Sequence, residues 1–397
     1  MRQSTYILHP GDSAKARGYL QIQIEEAGLQ PRTCLLPVDR GFSFFVTTGR
    51  EVKLTFTQDQ AVLKPAGWAT AALARLPWYL KKPLRHGVLN FGNVTIFPAG
   101  GKQQYKTYCR HVIHARNFRI PPDGQIMRDH PELITGWPLA PAVETPKVVG
   151  GPRIAVALHL YYTDLWPEIE TLLGRWQLPF TLFLTLTQED QELARRVTAA
   201  FPGSIIRIVE NSGRDVRPFL LLLEDGAFNG FDFVCKIHGK KSLGHGRLPI
   251  FGDIFRRATF LDLIATNEKV QSIISIFQRD PQIGIVGPGR YRIASTHLKP
   301  RDVFGNNRAA VEAIATQMGR PIQDGDFDFF AGTMFWVRPA ALAPLKDLGL
   351  SAEFDPAQSG YLDGAVEHAL ERLFTHTARV AGFRAQQVSD ENHYDQA

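Results

Sequence analysis

Residues 204–242 read SIIRIVENSGRDVRPFLLLLEDGAFNGFDFVCKIHGKKS, and the fold turns on this stretch. Residues 204–209 alternate and are rich in β-branched side chains, the pattern of a strand. Asn211-Ser212-Gly213 supplies a turn, and residues 214–224 form an apolar-faced helix with Pro218 near its first turn. Asp225-Gly226 closes that helix, and residues 231–236 give a second, buried strand. Strand, glycine turn, helix and strand make a βαβ unit, whose ligands sit beyond the carboxyl ends of the strands. One end holds Arg214 and Asp215; the other runs into a loop carrying Lys236, His238, Lys240 and Lys241 around Gly239. Such a concentration of cationic donors suits an anionic, phosphate-bearing ligand. The plainer alternatives are a solvated basic loop and a structural Arg214–Asp215 pair at a helix start.

Outward from this unit the same alternation of strand and helix continues. Residues 153–160 and 180–186 read as strands, 165–176 and 188–201 as helices, 254–277 as helical, and 283–286 as a strand. Residues 328–337 lead into one more strand and 364–374 form a last amphipathic helix. The fold class is therefore α/β, with a mostly parallel sheet flanked by helices. Residues 138–152 carry four prolines and two adjacent glycines. They divide the chain into an N-terminal domain (1–140), a linker (141–152) and the α/β domain (153–397). The N-terminal domain is the least legible, with short strands at 42–45, 52–56 and 94–97.

The 397 residues are 44% hydrophobic and 21% charged, enough apolar material for two cores, and the net charge is +6. That balance fits a nucleotide sugar, an anionic membrane surface or nucleic acid. Residues 69–87 interleave Leu76, Trp78, Tyr79 and Leu80 with Arg75, Lys81, Lys82 and Arg85, which suits peripheral contact with the cytoplasmic face of a membrane. A helix packed on its own domain is the alternative, since Pro77 and Pro83 interrupt any long regular helix. A second basic and aromatic run, 105–119, comes with no nucleic-acid motif, so a nucleic-acid partner is not expected. Three scattered cysteines (Cys34, Cys109 and Cys235) outline neither a disulfide framework nor a zinc site, as expected of a cytoplasmic protein. No apolar run approaches the roughly 18 residues of a spanning helix, and no signal-peptide core is visible at the start.

Candidate chemistry gathers at a few further places. On the last helix Val366, Ala369, Leu370, Leu373 and Phe374 share a face, with Asp363, Glu367 and Glu371 along its flank. A carboxylate there, half shielded by the apolar stripe, suits a general base; an N-cap Asp363 and a surface Glu371-Arg372 pair are the structural alternatives. In 332–336 (GTMFW), Phe335 and Trp336 point to opposite faces, and one of them is placed to stack on a sugar ring. Asp324 and Asp326 form the sole Asp-x-Asp run, a minor alternative for a divalent metal. His159 and Tyr162 follow the first strand of the α/β domain, where they either touch a ligand or serve as satisfied core groups.

The runs 211–220, 236–242, 331–336 and 363–374 together resemble the rhamnan synthesis protein F family, in the same order and over about residues 152–385. The resemblance implies a GT-A-like glycosyltransferase of lipopolysaccharide, O-antigen or other cell-surface polysaccharide synthesis. Such an enzyme moves a hexose or a deoxyhexose such as rhamnose from a nucleoside-diphosphate sugar to a glycan acceptor, expected to be lipid-linked. It further implies inversion, Asp363 as the base ahead of Glu371 and His368, and a donor site of Asn211, Gly213, Arg214, Asp215, Lys236, His238, Lys240, Lys241, Gly332 and Trp336, to which His159 and Tyr162 are added by their position alone. Cationic side chains at the sheet tip would replace the metal, so no cofactor is expected. Gly239 and Ala365 depart from the family pattern, each standing where a threonine is expected. The alternative is a degenerate domain of the same fold that binds glycan or a partner without catalysis.

Overall fold

The computed structural model describes residues 4–17, 19–27, 32–38, 43–48, 52–56, 61–67, 89–91, 94–99, 130, 132–139, 150–239, 241, 249–295, 303–323, 325, 327–354 and 364–388. The chain separates into two compact units: Met1–Gly136 with Lys240–Arg257, and Trp137–Gly239 with Ala258–Ala397. Division therefore falls before the expected linker, and 240–257, expected in the α/β domain, groups with the first unit. The basic segments 69–87 and 105–119 lie outside the described residues.

The first unit is built of antiparallel strands: β1 (Ser4–His9), β2 (Tyr19–Glu26), β3 (Arg32–Pro37), β4 (Phe44–Thr48), β5 (Val52–Phe56), β6 (Val62–Pro65), β7 (Leu89–Phe91) and β8 (Val94–Pro98). Helices α1 (Asp12–Arg17) and α2 (Glu132–Thr135) accompany them. A five-stranded sheet runs β6-β1-β4-β8-β7 and a three-stranded sheet β3-β2-β5. Strand β2 alternates cleanly: Leu20, Ile22 and Ile24 are sealed in a core with Leu8, Phe44, Val46, Val52 and Ile96, while Gln21, Gln23 and Glu25 are half-buried.

In the second unit the elements follow as β9 (Ile154–His159), α3 (Trp166–Leu173), β10 (Phe180–Leu186), α4 (Gln191–Ala200), β11 (Ile205–Ile208), α5 (Val216–Glu224) and β12 (Phe233–His238). After α6 (Pro249–Leu263), which runs across the division, come α7 (Asn267–Arg279), β13 (Ile283–Gly287), β14 (Arg292–Ala294), α8 (Arg308–Gln317), β15 (Asp328–Phe330) and β16 (Phe335–Val337). The last elements are α9 (Ala343–Lys346), α10 (Val366–Val380) and β17 (Arg384–Gln387). A seven-stranded sheet runs β11-β10-β9-β12-β16-β13-β17, and every pairing is parallel except those of β16, which is antiparallel to β12 and β13. This is the expected α/β class with a mostly parallel sheet. Among the described residues no helix is long and apolar enough to cross a membrane.

Two faces of the sheet follow from the period of two. Ala155, Ala157, Val234, Phe335 and Val337 join Phe219 and Leu220 of α5 and Leu370, Leu373 and Phe374 of α10 in one core. On the opposite face Trp336 stacks on Trp176 with ring centres 5.4 Å apart, and its Nε1–H donates to the Leu263 carbonyl at 3.1 Å. Residues 328–337, expected as one strand, are two: β15 pairs with β14 in a separate ribbon, and β16 enters the main sheet. Gly332 and Thr333, both at positive φ (87° and 53°), turn the chain between them. Because β16 runs backwards, this turn lies at the carboxyl ends of β9 and β12, as does the loop before α5.

Candidate functional site

Strand β12 extends to His238, two residues beyond the expected end, and every residue of it is buried. With alternation fixed, Lys236 and His238 face the side of α5 and α10. Lys236 is only 1% exposed. Its Nζ donates to Asp215 Oδ2 (2.5 Å), to the Thr333 carbonyl (2.8 Å) and to Thr333 Oγ1 (3.1 Å), which uses all three N–H groups. The rings of Phe219, Phe335 and Phe374 surround the ammonium with centroids 5.4 to 5.9 Å away. Lys236 was expected to project from a loop onto a phosphate; the structure corrects this, because the cation is enclosed and already neutralised.

Asp215 is the hub of the cluster. Burial would push its carboxyl up, but His238, Lys236 and the Thr333 hydroxyl outweigh burial and hold it well below the usual carboxylate range. Lys236 is pulled down by burial, opposed by Asp215 and Glu371. His238 is buried, its Nε2–H donating to the Gly332 carbonyl at 2.7 Å with Asp215 Oδ1 3.8 Å away, so it too is a strand residue rather than a loop cation. His159, at the end of β9, is buried beside them. Its Nδ1–H donates to Thr185 Oγ1 at 3.0 Å, and that hydroxyl donates onward to the Leu158 carbonyl at 3.4 Å. Burial, together with His238 and Lys236 and against the pull of Asp215, lowers the imidazole to about 4, which leaves it neutral near pH 7.

The loop before α5 is held under strain. Gly213 (φ 63°) and Arg214 (φ 54°) are consecutive left-handed residues, and a Cβ at Gly213 would lie 2.2 Å from a Phe354 ring carbon. Arg214 is a non-glycine in that region, the kind of outlier that concentrates at functional sites. Its side chain is 45% exposed, with Nε 3.7 Å from Oε1 of Glu367. Asn211 is exposed, while the Ser212 hydroxyl is buried with no hydrogen-bond partner. Arg217 is engaged by Glu210 (3.2 Å) and by the Ser351 carbonyl (3.0 Å).

Helix α10 enters from the same side. Glu371 Oε1 accepts the Gly332 N–H at 2.5 Å, clamping the turn that carries Thr333. His368 is buried, and its Nδ1 accepts the Ala365 N–H at 3.3 Å. Tyr162 is half-buried against Tyr161, edge to face at 4.8 Å, and burial raises its hydroxyl above the ordinary range, helped by Tyr161 and Asp164. Beyond β9 and β10 lies a cavity of about 230 Å³ lined by Leu160, Tyr161, Thr163, Gln188, Glu189 and Asp190, among others. Lys241 is half-buried and belongs to the first unit; Asp363, Lys240, Asp324 and Asp326 lie outside the described residues.

His159, Gly213, Arg214, Asp215, Lys236, His238, Gly332, His368 and Glu371 thus belong to the elements that meet at the carboxyl edge of the sheet. Trp336 is a correction: expected against a sugar, it is fully buried on the opposite face. Thr333 and Thr185 were not anticipated, since a threonine inside an apolar strand carries no signal until its backbone is known to turn. Strand β12 ends in Lys236-Ile237-His238. A lysine ammonium has donors and no lone pair, so Lys236 does not fit a metal. Among the described residues no group of three potential metal ligands occurs.

The family model described as rhamnan synthesis protein F matches residues 140–383. An uncharacterized protein, WxcX, of Xanthomonas campestris pv. campestris (strain B100) is 29% identical over 252 residues, covering 63% of this chain and 34% of the relative. WxcX of strain ATCC 33913 gives the same figures. The chain spans about a third of the length of these curated relatives. It is also similar to the crystal structure of S. aureus TarS 1–349, with TM-score 0.33 and 12% identity over 60% of this chain and 59% of that one. The apo form of mouse xyloside xylosyltransferase 1 gives TM-score 0.31 and 9% identity over 59% and 84%. Neither likeness is close enough to carry weight. The family match covers more than half of the chain, from β9 through α10, and so the chain belongs to the rhamnan synthesis protein F family.

Proposed function

We propose that this chain is a glycosyltransferase acting in cell-surface polysaccharide synthesis, moving a hexose or rhamnose-like deoxyhexose from a nucleoside-diphosphate sugar to an acceptor hydroxyl. The observation that carries it is the strained, charge-organised edge of the sheet, where Arg214, at φ 54°, stands exposed over the buried Asp215–Lys236 pair. Lys236 does not touch the donor in this reading. It fixes Asp215 and the Thr333 carbonyl, which holds the loop of Arg214 against the turn at Gly332. A pre-set guanidinium at that edge supplies fixed positive charge where the leaving diphosphate develops its own negative charge. The cavity beside Tyr161 offers an aromatic lip and several polar groups to a nucleoside.

Asp363 is the expected base, taking the acceptor proton, and inversion belongs to the same expectation. Independence from a divalent metal is part of the same proposal, and the lysine at the end of β12, which offers a metal no lone pair, supports it. A lipid-linked acceptor and peripheral placement at the cytoplasmic membrane face complete the proposal. The test is isothermal titration of the chain with a panel of nucleotide sugars, with and without EDTA. One donor is expected to bind with an affinity that EDTA leaves unchanged. Binding that EDTA abolishes overturns metal independence, and a panel with no binder overturns the transferase reading in favour of a glycan- or partner-binding domain.

A further inference from the structure

Glu367 is the acid on α10 whose environment the chemistry above does not use. It sits in the first turn of the helix, where acidic side chains are common because they face unsatisfied N–H groups. Ordinary first-turn acids are solvated, whereas Glu367 is only 5% exposed, and its Oε1 is buried without a hydrogen bond. A buried carboxylate oxygen left without a donor requires a reason. The Nε of Arg214 stands 3.7 Å from it, within ion-pair range and beyond a hydrogen bond.

The rest of the loop narrows the meaning of that pair. Asp215 and Arg217, on either side of Val216, are drawn inward by Lys236 and by Glu210 and Ser351. Arg214 alone of these three charged residues keeps a large exposed fraction, 45% of its side chain, and does so from a left-handed backbone. Arg214 therefore meets a buried carboxylate through Nε while a large part of its side chain stays exposed at the edge where the donor is proposed to bind. The planar fork of an arginine is suited to this division, gripping a carboxylate with one edge and a phosphate with another. We propose that Glu367 is a positioning residue that holds the Arg214 guanidinium in the orientation that takes the diphosphate of the donor. This rests on the glycosyltransferase reading.

The test uses UDP, GDP and dTDP, each titrated beside its own nucleoside, against the wild-type chain, Glu367→Gln, Arg214→Ala and the double variant. Wild type is expected to prefer one diphosphate over its nucleoside. Glu367→Gln, which keeps the shape and removes the charge, is expected to weaken that diphosphate about tenfold, the cost of an arginine no longer pre-ordered. It should leave the nucleoside affinity unchanged, and Glu367→Asp should restore part of the loss. The double variant should be no weaker than Arg214→Ala alone. Equal diphosphate binding by wild type and Glu367→Gln overturns the positioning role. So does a loss that strikes nucleoside and diphosphate alike, or one that adds in full to Arg214→Ala. A wild-type chain that prefers no diphosphate to its nucleoside fails earlier, and takes the transferase reading with it.

Discussion

Lys236 shows how one side chain can organise a site without touching what binds there. Its three N–H groups meet three acceptors, and its one positive charge meets one carboxylate. A buried pair of this kind contributes little over a well-packed apolar pair, because both charges are taken out of water. Breaking it is another matter. Asp215→Asn leaves an ammonium enclosed by three aromatic rings with only the more distant Glu371 as counter-charge, and Lys236→Met leaves Asp215 with the Thr333 hydroxyl and His238. Each single variant is expected to lose about 3–5 kcal/mol of stability. The double variant Asp215→Asn/Lys236→Met should recover most of that loss, since neither charge is then stranded. Urea unfolding of the four proteins measures this directly. Additive losses would mean that the two residues stabilise the fold independently.

At the scale of elements, α10 and β12 show what patterning reveals and what it hides. The 3.6-residue stripe of α10 was legible: Ala369, Leu370, Leu373 and Phe374 are buried as the spacing requires, and Val366 packs beside them. Strand β12 was legible as a strand but not in its end, because nothing local distinguishes a lysine finishing a strand from one opening a loop. A shift of two residues moved Lys236 and His238 from the rim into the interior. The run 328–337 hid more, since a turn made by Gly332 and Thr333 looks, in sequence, like two more residues of an apolar strand. The family departure at Ala365 is intelligible here. Ala365 is the N-cap of α10, in extended backbone (φ −90°, ψ 164°), with no side-chain cap hydrogen bond. Ala365→Ser supplies a side-chain acceptor to the first-turn N–H groups and is expected to stabilise the chain by about 1 kcal/mol. Thermal melts of the variant read this; an unchanged or lowered melting temperature would show that the 1%-exposed site cannot admit a hydroxyl. Gly239, the second departure, has its own reason: a Cβ there would come within 2.8 Å of a Leu160 methyl.

Across the whole molecule, legibility follows the length of the connections. In the second unit, helices separate most of the parallel strands, and each change of period from two to 3.6 announces the next element. In the first unit short antiparallel strands follow one another with no such change, so their number and order were not readable. The parallel sheet also sets a condition on pH, because it closes over the ends of β9 and β12 and takes His159 out of water. The imidazole is lowered by burial to about 4 in the folded chain, against an ordinary 6.5 when unfolded. The folded state therefore binds fewer protons than the unfolded one between those values, and stability falls as pH drops from about 6.5 to about 4. Above 6.5 both states are neutral and His159 contributes no pH dependence; below 4 both are charged and its contribution levels off. The full difference amounts to about 3 kcal/mol, at 1.36 kcal/mol per unit. Asp215 acts in a separate window, since its depressed carboxyl gives up its stabilisation only as pH falls below the ordinary carboxylate range. His159→Asn keeps a donor near the position of Nδ1 for Thr185 and removes the titration. Urea unfolding at pH 7.5, 5.5 and 4.2 is expected to show a decline in wild type that exceeds the decline in His159→Asn by about 2–3 kcal/mol. Parallel declines in the two proteins would mean that the acid sensitivity of the sheet edge arises from another group.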